Sequence, residues 1–346
     1  MNMEKKPTIY DIAKALGVST GTVNRALHNK PEISEKTKKR VLDMAAKMNF
    51  KINPVAQSLR RKAFRVGIVL LCPVEDYLYE VKRGMDKAIS DIGEFNLHAE
   101  YLIYDVTTND QIETEILNKL ELFMEEQYDG VVLLLTTQNR EEITRELINN
   151  PNVKVAGVST RILGSDDVQN VCVHGETAGG LAAEVLSLCC SKRNICILTG
   201  TTDLSPHKEN LDGFYEFHKK YPFNSIKVYT HNDDPQQVDV QTRKMLEECP
   251  DIDGIYMNTA SSPLACKIID QVKPDHSFNI VTTDLTAETK DLLARRRIRA
   301  TIYQNPYLQG KRVIELLYQR ICENDTDFLY YVNPQIVFSA NAENVY

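Results

Sequence analysis

The side chains best suited to chemistry are scattered along the sequence rather than grouped. His174, His207, His218 and His231 do not recur at i, i+4 spacing, so no helix presents two imidazoles to a metal. The cysteines at 72, 172, 189, 190, 196, 249, 266 and 322 include no CxxC pair and read as small buried hydrophobes. HGETAGG, beginning at His174, has the flavour of a phosphate loop but lacks the Gly-Lys-Ser/Thr ending, and no GxSxG elbow occurs. Asp166 and Asp167 sit in a polar turn that faces water. With neither a nucleophile beside a base nor a ligand cluster, the sequence predicts no catalytic residue, no metal and no cofactor, and the protein reads as a non-enzyme.

Charge, by contrast, is concentrated. The 346 residues carry a net charge of −7, yet residues 1–62 hold 14 Lys/Arg and 5 Asp/Glu, net +9, which leaves −16 for the remainder. A positive head on a negative body is the footprint of a protein that grips a polyanion at one end. At 42% hydrophobic and 26% charged residues the chain belongs with ordinary globular proteins of two or three folded units, which excludes disordered and fibrous classes. The longest apolar run, Val66 to Cys72, is far short of the ~20 residues that cross a bilayer, and MNMEKKPTIY has no apolar signal core. A cytoplasmic location is expected.

Three helices can be read in the head. Thr8 caps the first, in which Ile9, Ile12, Ala13 and Leu16 recur at helical spacing until Gly17 stops it. Ser19 caps the second, Thr20 to Leu27, whose Val23, Ala26 and Leu27 form a short apolar face, and Ser34 caps a third through Lys47. Only Gly17 and Val18 separate the first two. So tight a turn makes them cross steeply and projects the other face of the second outward, the helix-turn-helix arrangement that enters a major groove.

The run from Thr8 to Arg61, with its VSTGTVNRAL core and its NPVAQSLR segment, resembles the DNA-binding head of the lactose-repressor (LacI) family essentially without gaps. The resemblance implies that Thr20, Gly21 and Arg25 read base edges in double-stranded DNA, with Thr22 also at the interface. It further implies that Thr8, Ser19, Asn29 and the lysines near 36–40 contact phosphates or cap helices. Arg25 suits its role because its planar fork can give two hydrogen bonds to a guanine, worth ~1–3 kcal/mol of discrimination. Gly21 has no side chain with which to read a base. Residues 53–62 correspond to the family's hinge helix, which forms on DNA; Asn53, Ala56 and Leu59 are its implied contacts, with Leu59 the wedge that opens a minor-groove step.

Beyond residue 63 the pattern changes to short apolar runs alternating with amphipathic segments. RVGIVLL, LHAEYLIY, DGVVLLL, VKVAGVS, NICILTG, DGIYMN, FNIVTT and RATIYQ are the candidate strands; Tyr79–Ile92, Ile112–Gln127, Gly179–Cys189 and Lys208–Lys220 are helical. This alternation predicts an α/β body of two doubly wound parallel sheets, with a ligand cleft where strand carboxyl ends face each other. The body is similar to the periplasmic sugar-binding fold, the ribose-type receptors above all. That likeness implies an effector domain over 63–340, with a first lobe of 63–160 and 291–320 and a second of 161–290 and 321–340.

The same likeness places Tyr77, in YLYEVKRGMDKAI, over the ligand and makes Arg161, Asp284 and Gln304 polar contacts at strand ends. Lys208, beside His207, stands where a ligand-binding arginine is usual, and Asn258 or Thr259 replaces the usual Asn-Asp pair. The function so implied is that of a homodimeric repressor of carbohydrate genes, acting at a near-palindromic operator. A sugar, inositol-like polyol or sugar acid would control it. The rival readings are a sugar receptor without a regulatory role, which leaves the basic head unexplained, and a sugar-modifying enzyme, which lacks a nucleophile and base.

Overall fold

The computed structural model describes residues 8–27, 33–48, 63–93, 96–104, 112–136, 140–164, 167–323 and 327–345. The expectations for Asn29, Asn53, Ala56, Leu59 and the 53–62 hinge lie outside the described residues. The chain divides into two units, residues 1–62 and 63–346.

The head unit contains α1 (Ile9–Leu16), α2 (Thr20–Leu27) and α3 (Glu35–Lys47). A capping box opens α1: the Thr8 hydroxyl accepts the Asp11 N–H, and the Asp11 carboxylate accepts the Thr8 N–H at 2.7 Å. Gly17 ends it with φ of 65°, a left-handed conformation that glycine adopts without steric penalty. Ser19 Oγ accepts the Thr22 N–H at 3.1 Å and Ser34 Oγ the Thr37 N–H at 3.2 Å, caps worth about 1 kcal/mol each. Ile12, Ala13, Val23, Ala26, Val41 and Ala45 close a small core between the three helices. Burial of Val23 and Ala26 decides which face of α2 is left outward.

The body unit holds two six-stranded sheets. The first contains β1 (Phe64–Leu71), β2 (Leu97–Tyr104), β3 (Gly130–Leu135), β4 (Lys154–Val158), β5 (Gln169–Val173) and β11 (Leu329–Val332), in the order β11-β5-β4-β3-β1-β2. The second contains β6 (Asn194–Thr199), β7 (Ser225–Thr230), β8 (Gly254–Met257), β9 (Asn279–Thr283), β10 (Ala300–Tyr303) and β12 (Gln335–Val337), in the order β12-β10-β9-β8-β6-β7. All pairings are parallel except that of β12 with β10. Around the sheets lie α4 (Glu75–Ile92), α7 (Gly175–Cys189), α8 (Ser205–Lys220), α11 (Ala287–Ala294) and α12 (Pro306–Glu323), together with α5 (Ile112–Glu125), α6 (Arg140–Ile148), α9 (Pro235–Glu248) and α10 (Ser262–Val272). None among the described residues is long and apolar enough to cross a membrane.

The chain passes between the sheets three times: after β5, at Gln304–Asn305, and between β11 and β12. This corrects the expected lobe limits. Gln169–Val173 and Leu329–Val332 belong to the first sheet, and Ala300–Tyr303 to the second. Sheet membership is settled by pairing, β5 on β4 and β10 on β9, which an apolar run does not encode. The four strands that the pattern missed, β5, β7, β11 and β12, are short or polar. Ser225–Thr230 lies at a sheet edge with only Tyr229 buried, so it lacks the continuous apolar run of a strand covered on both faces. All eight cysteines are free thiols; Cys172, Cys190, Cys196 and Cys266 are buried, while Cys72, Cys249 and Cys322 are only half-buried and Cys189 departs from expectation by being exposed.

Helices α4 and α12 touch backbone to backbone where Gly84 meets Tyr307 and Gly310 meets Val81. A Cβ at Gly84 would lie 1.9 Å from the Tyr307 carbonyl oxygen, whereas one at Gly180 in α7 would have 3.9 Å to its nearest neighbour. Gly84→Ala is expected to destabilise the full chain by about 1–3 kcal/mol in urea denaturation. Gly180→Ala, which gains helix propensity, should be neutral or stabilising by up to ~1 kcal/mol. Equal effects would contradict the close crossing.

Candidate functional site

The carboxyl ends of β9, β10 and β4 converge with the first turns of α4 and α12. Asp284, just past β9, has φ of 71° and is held there by its backbone: its N–H donates to the Ile302 carbonyl, and its own carbonyl accepts from Thr301 and Thr289 hydroxyls. Its side chain is 8% exposed and accepts one hydrogen bond, from Gln304 Nε2 at 2.7 Å. Burial pushes the carboxyl up to about 6, with the Gln304 bond acting in the opposite direction. Tyr77, in the first turn of α4, donates from its hydroxyl to Ser159 Oγ at 2.9 Å and accepts from Gln309 Nε2 at 3.2 Å. Gln309, fully buried, also donates to the Gln304 carbonyl at 2.8 Å, so a residue absent from the sequence reading ties the aromatic side chain to the crossing strand. Asp76, Tyr77, Glu80, Asp284, Tyr303 and Lys290 are among the residues lining a recess of about 190 Å³.

Arg161 follows β4 on a loop clamped by Asn170, whose side-chain amide accepts from Ile162 N–H at 2.8 Å and donates to the Ile162 carbonyl at 3.2 Å. The guanidinium donates to the Tyr331 hydroxyl and lies over its ring, 5.2 Å from the centroid. It also forms an ion pair at 3.2 Å with Glu209 of α8. This pair joins the first lobe to the second. Gly175, at the start of α7, makes room for it, since a Cβ there would lie 2.5 Å from Glu209 Cβ. A second link between lobes runs from Ala287 N–H at the start of α11 to the Asp76 carboxylate, at 3.0 Å.

Lys208, the basic residue expected here, is exposed. One helical position is a turn of about 100°, and Glu209, the next residue on α8, is the one that meets Arg161 at the lobe boundary. Nothing in the spacing of HKENLDGF distinguishes the two, so Glu209 escaped the sequence reading.

At the ends of β6 to β8 a further polar group assembles. His207 Nδ1 donates to the Thr201 carbonyl at 2.9 Å and lies 3.7 Å from Asp233 Oδ2. His231, 2% exposed, accepts the Asp233 N–H at Nδ1, which leaves Nε2–H to donate to Thr259 Oγ1 at 3.3 Å. Burial lowers its pKa, so it is the neutral form that packs here. Asn258, 2% exposed, donates to the His207 carbonyl at 3.2 Å while its Oδ1 has no partner among the described residues. An acceptor left over in this way can take a ligand hydroxyl. Among the described residues no cluster of His, Cys, Asp and Glu could hold a metal ion.

In the head, Thr20 and Gly21 are exposed and Arg25 is half-buried, all on α2. Arg25 Nε reaches back to the Gly21 carbonyl at 3.4 Å, a weak contact that a stronger acceptor can replace. Thr8 and Ser19 serve as caps, and Thr22 Oγ1 lies 2.9 Å from Ser19 Oγ.

Two parallel-sheet lobes joined by three crossings, with polar side chains at their facing strand ends, define a two-lobed ligand-binding protein, here carrying a helix-turn-helix head. The chain belongs to the periplasmic binding protein domain family, matched over residues 66–325, and its head is that of the bacterial regulatory proteins, lacI family, matched over residues 8–53. It is 27% identical to the ribose operon repressor of Halalkalibacterium halodurans over 73% of this chain and 71% of that protein. Among solved structures it is similar to GanP, a glucose-galactose binding protein from Geobacillus stearothermophilus (TM-score 0.68, 20% identity, 81% of this chain and 99% of that one). It is also similar to the transcriptional regulator CelR in complex with cellobiose (TM-score 0.65, 18% identity, 96% and 98%).

The raised pKa of Asp284 has a measurable consequence. Because the folded value lies above that of an unfolded aspartate, near 3.9, folding favours the protonated form. That contribution is full below about pH 4 and is lost as pH rises through about 6. Asp284→Asn cannot ionise, and asparagine tolerates the left-handed backbone. Its stability relative to the parent chain should therefore rise between pH 4 and 7, by on the order of 2 kcal/mol in urea denaturation. A pH-independent difference would refute the assignment.

Proposed function

We propose that this chain is a DNA-binding transcriptional repressor whose grip on its operator is set by a small sugar, polyol or sugar acid held between the lobes. The observation that carries this reading is the union, in one chain, of an α2 surface bearing Thr20, Gly21 and Arg25 with a cleft bearing Asp284, Gln304, Asn258 and Arg161. A carboxylate accepts from two hydroxyls, an amide both donates and accepts, and an aromatic side chain covers the C–H face of a ring, which together suit a polyhydroxy ligand. The names of the relatives, a ribose operon repressor, a glucose-galactose binding protein and a regulator with bound cellobiose, support that class. A receptor without a regulatory role would leave the head unused. The binding chemistry needs no reacting group, in keeping with a non-enzyme. Action in the cytoplasm, where operators are, follows from the same reading.

Mechanistically, two protomers present two recognition helices to a near-palindromic operator. Ligand in the cleft adds contacts to both lobes beyond the chain's own Arg161–Glu209 and Asp76–Ala287 links, and so biases lobe closure. A ligand shifts that equilibrium only through its differential affinity for the two states; a 10⁴-fold swing needs about 5.5 kcal/mol per dimer. The genes so controlled would be those for uptake or breakdown of the effector.

The direct test is a gel-shift selection from random duplexes, repeated with a panel of sugars and polyols. Selection of no preferred duplex would overturn the reading. Arg25→Ala should weaken binding to the selected duplex by ~1–3 kcal/mol while leaving nonspecific binding nearly intact; equal losses would remove it from base reading. Asp284→Ala should abolish the response to the effector while operator binding survives, and an undiminished response would exclude Asp284 from the site.

A further inference from the structure

Two of the cationic groups at the cleft, Arg161 and Arg83, are already answered by the protein's own carboxylates. Arg161 is paired with Glu209 across the lobes at 3.2 Å and also meets the Tyr331 hydroxyl and ring and the Cys172 thiol, while its buried Nε has no partner among the described residues. Arg83 is paired with Glu80 at 2.8 Å. The recess itself is lined by three carboxylates, Asp76, Glu80 and Asp284, against two cations, Arg83 and Lys290. An anionic ligand seated against Arg161 would have to displace Glu209 or lie beside it, and like charges brought together in a poorly solvated cleft are disfavoured. A neutral polyol meets no such conflict, and it can use the lone pairs of Asp284 and of Asn258 Oδ1.

We propose that Glu209 is a specificity-determining residue: by neutralising Arg161 across the cleft, it restricts the effector to uncharged polyhydroxy compounds and rejects sugar acids and sugar phosphates. Discrimination of this kind works by an unfavourable charge set against the wrong ligand rather than an added contact to the right one. The proposal rests on the polyol reading of the cleft and narrows it, removing the sugar-acid class. Glu209 is placed for this role by geometry. It lies on the second lobe, its partner lies on the first, and Gly175 leaves the gap that lets α8 approach.

The test is calorimetric titration of the full chain with matched pairs that differ in one group: glucose and glucuronate, galactose and galacturonate, ribose and ribose 5-phosphate. The unmodified protein should bind the neutral member of its preferred pair at least about tenfold more tightly than the anionic one. Glu209→Gln leaves Arg161 unpaired and should raise the anion-to-neutral affinity ratio by about tenfold. Arg161→Gln combined with Glu209→Gln removes both charges and should not show that rise. Preference of the unmodified protein for an anionic member would overturn the proposal without any variant. An unchanged ratio in a folded Glu209→Gln protein, or an equal rise in the double variant, would overturn it as well. Binding of no member of any pair would overturn the polyol reading itself, and the charge rule with it.

Discussion

Parallel strand pairing is the constraint on which the body depends. Every strand of a parallel sheet ends on the same edge, so residues far apart in sequence, such as Tyr77, Ser159 and Arg161 of the first lobe or His207, Asn258 and Asp284 of the second, are brought to one rim. Three passages of the chain then hold the two rims together. The middle passage is itself functional, since Gln304 bonds Asp284 while Gln309 bonds both Gln304 and Tyr77. The strand that links the lobes is thus part of the polar lining.

Electrostatics explains why these polar groups tolerate burial. Asp284 sits where solvent is scarce, and burial pushes its carboxyl up to about 6 against the lowering effect of the Gln304 hydrogen bond. His231 avoids the cost of charge by packing in its neutral form, with a backbone N–H selecting the tautomer. Arg161 is paired with Glu209, which supplies a counter-charge from the opposite lobe. A half-buried pair of this kind is weak evidence for stability, because desolvation and screening offset much of the attraction, but it constrains what else can bind beside it.

The head depends on a different economy. Eight-residue helices are marginal alone, and caps at Thr8, Ser19 and Ser34 together with six buried apolar side chains hold the three in register. Those same choices leave the Thr20, Gly21 and Arg25 side of α2 outside the apolar core of the head, with Arg25 Nε in weak contact with the Gly21 carbonyl of its own helix.

The head was legible in the amino-acid sequence because its signals are local: a capping residue, a periodic apolar face and a glycine stop act over a few positions, and all three helices fall where those signals lie. The central strands of the body were legible for the same reason, as burial on both faces demands continuous apolar runs. Asp284, Gln304 and Arg161 could be named because the body resembles the ribose-type receptors, and each stands at a strand end that the resemblance makes a polar contact. Sheet membership of Gln169–Val173, Ala300–Tyr303 and Leu329–Val332 was decided only by tertiary pairing, which leaves no mark in a short run of residues. The same holds for the placing of Glu209 against Arg161 at the lobe boundary and for the tie between Gln309 and Tyr77. Those depend on the rotation of a packed helix and on contacts 232 residues apart in the chain, and no local spacing encodes either.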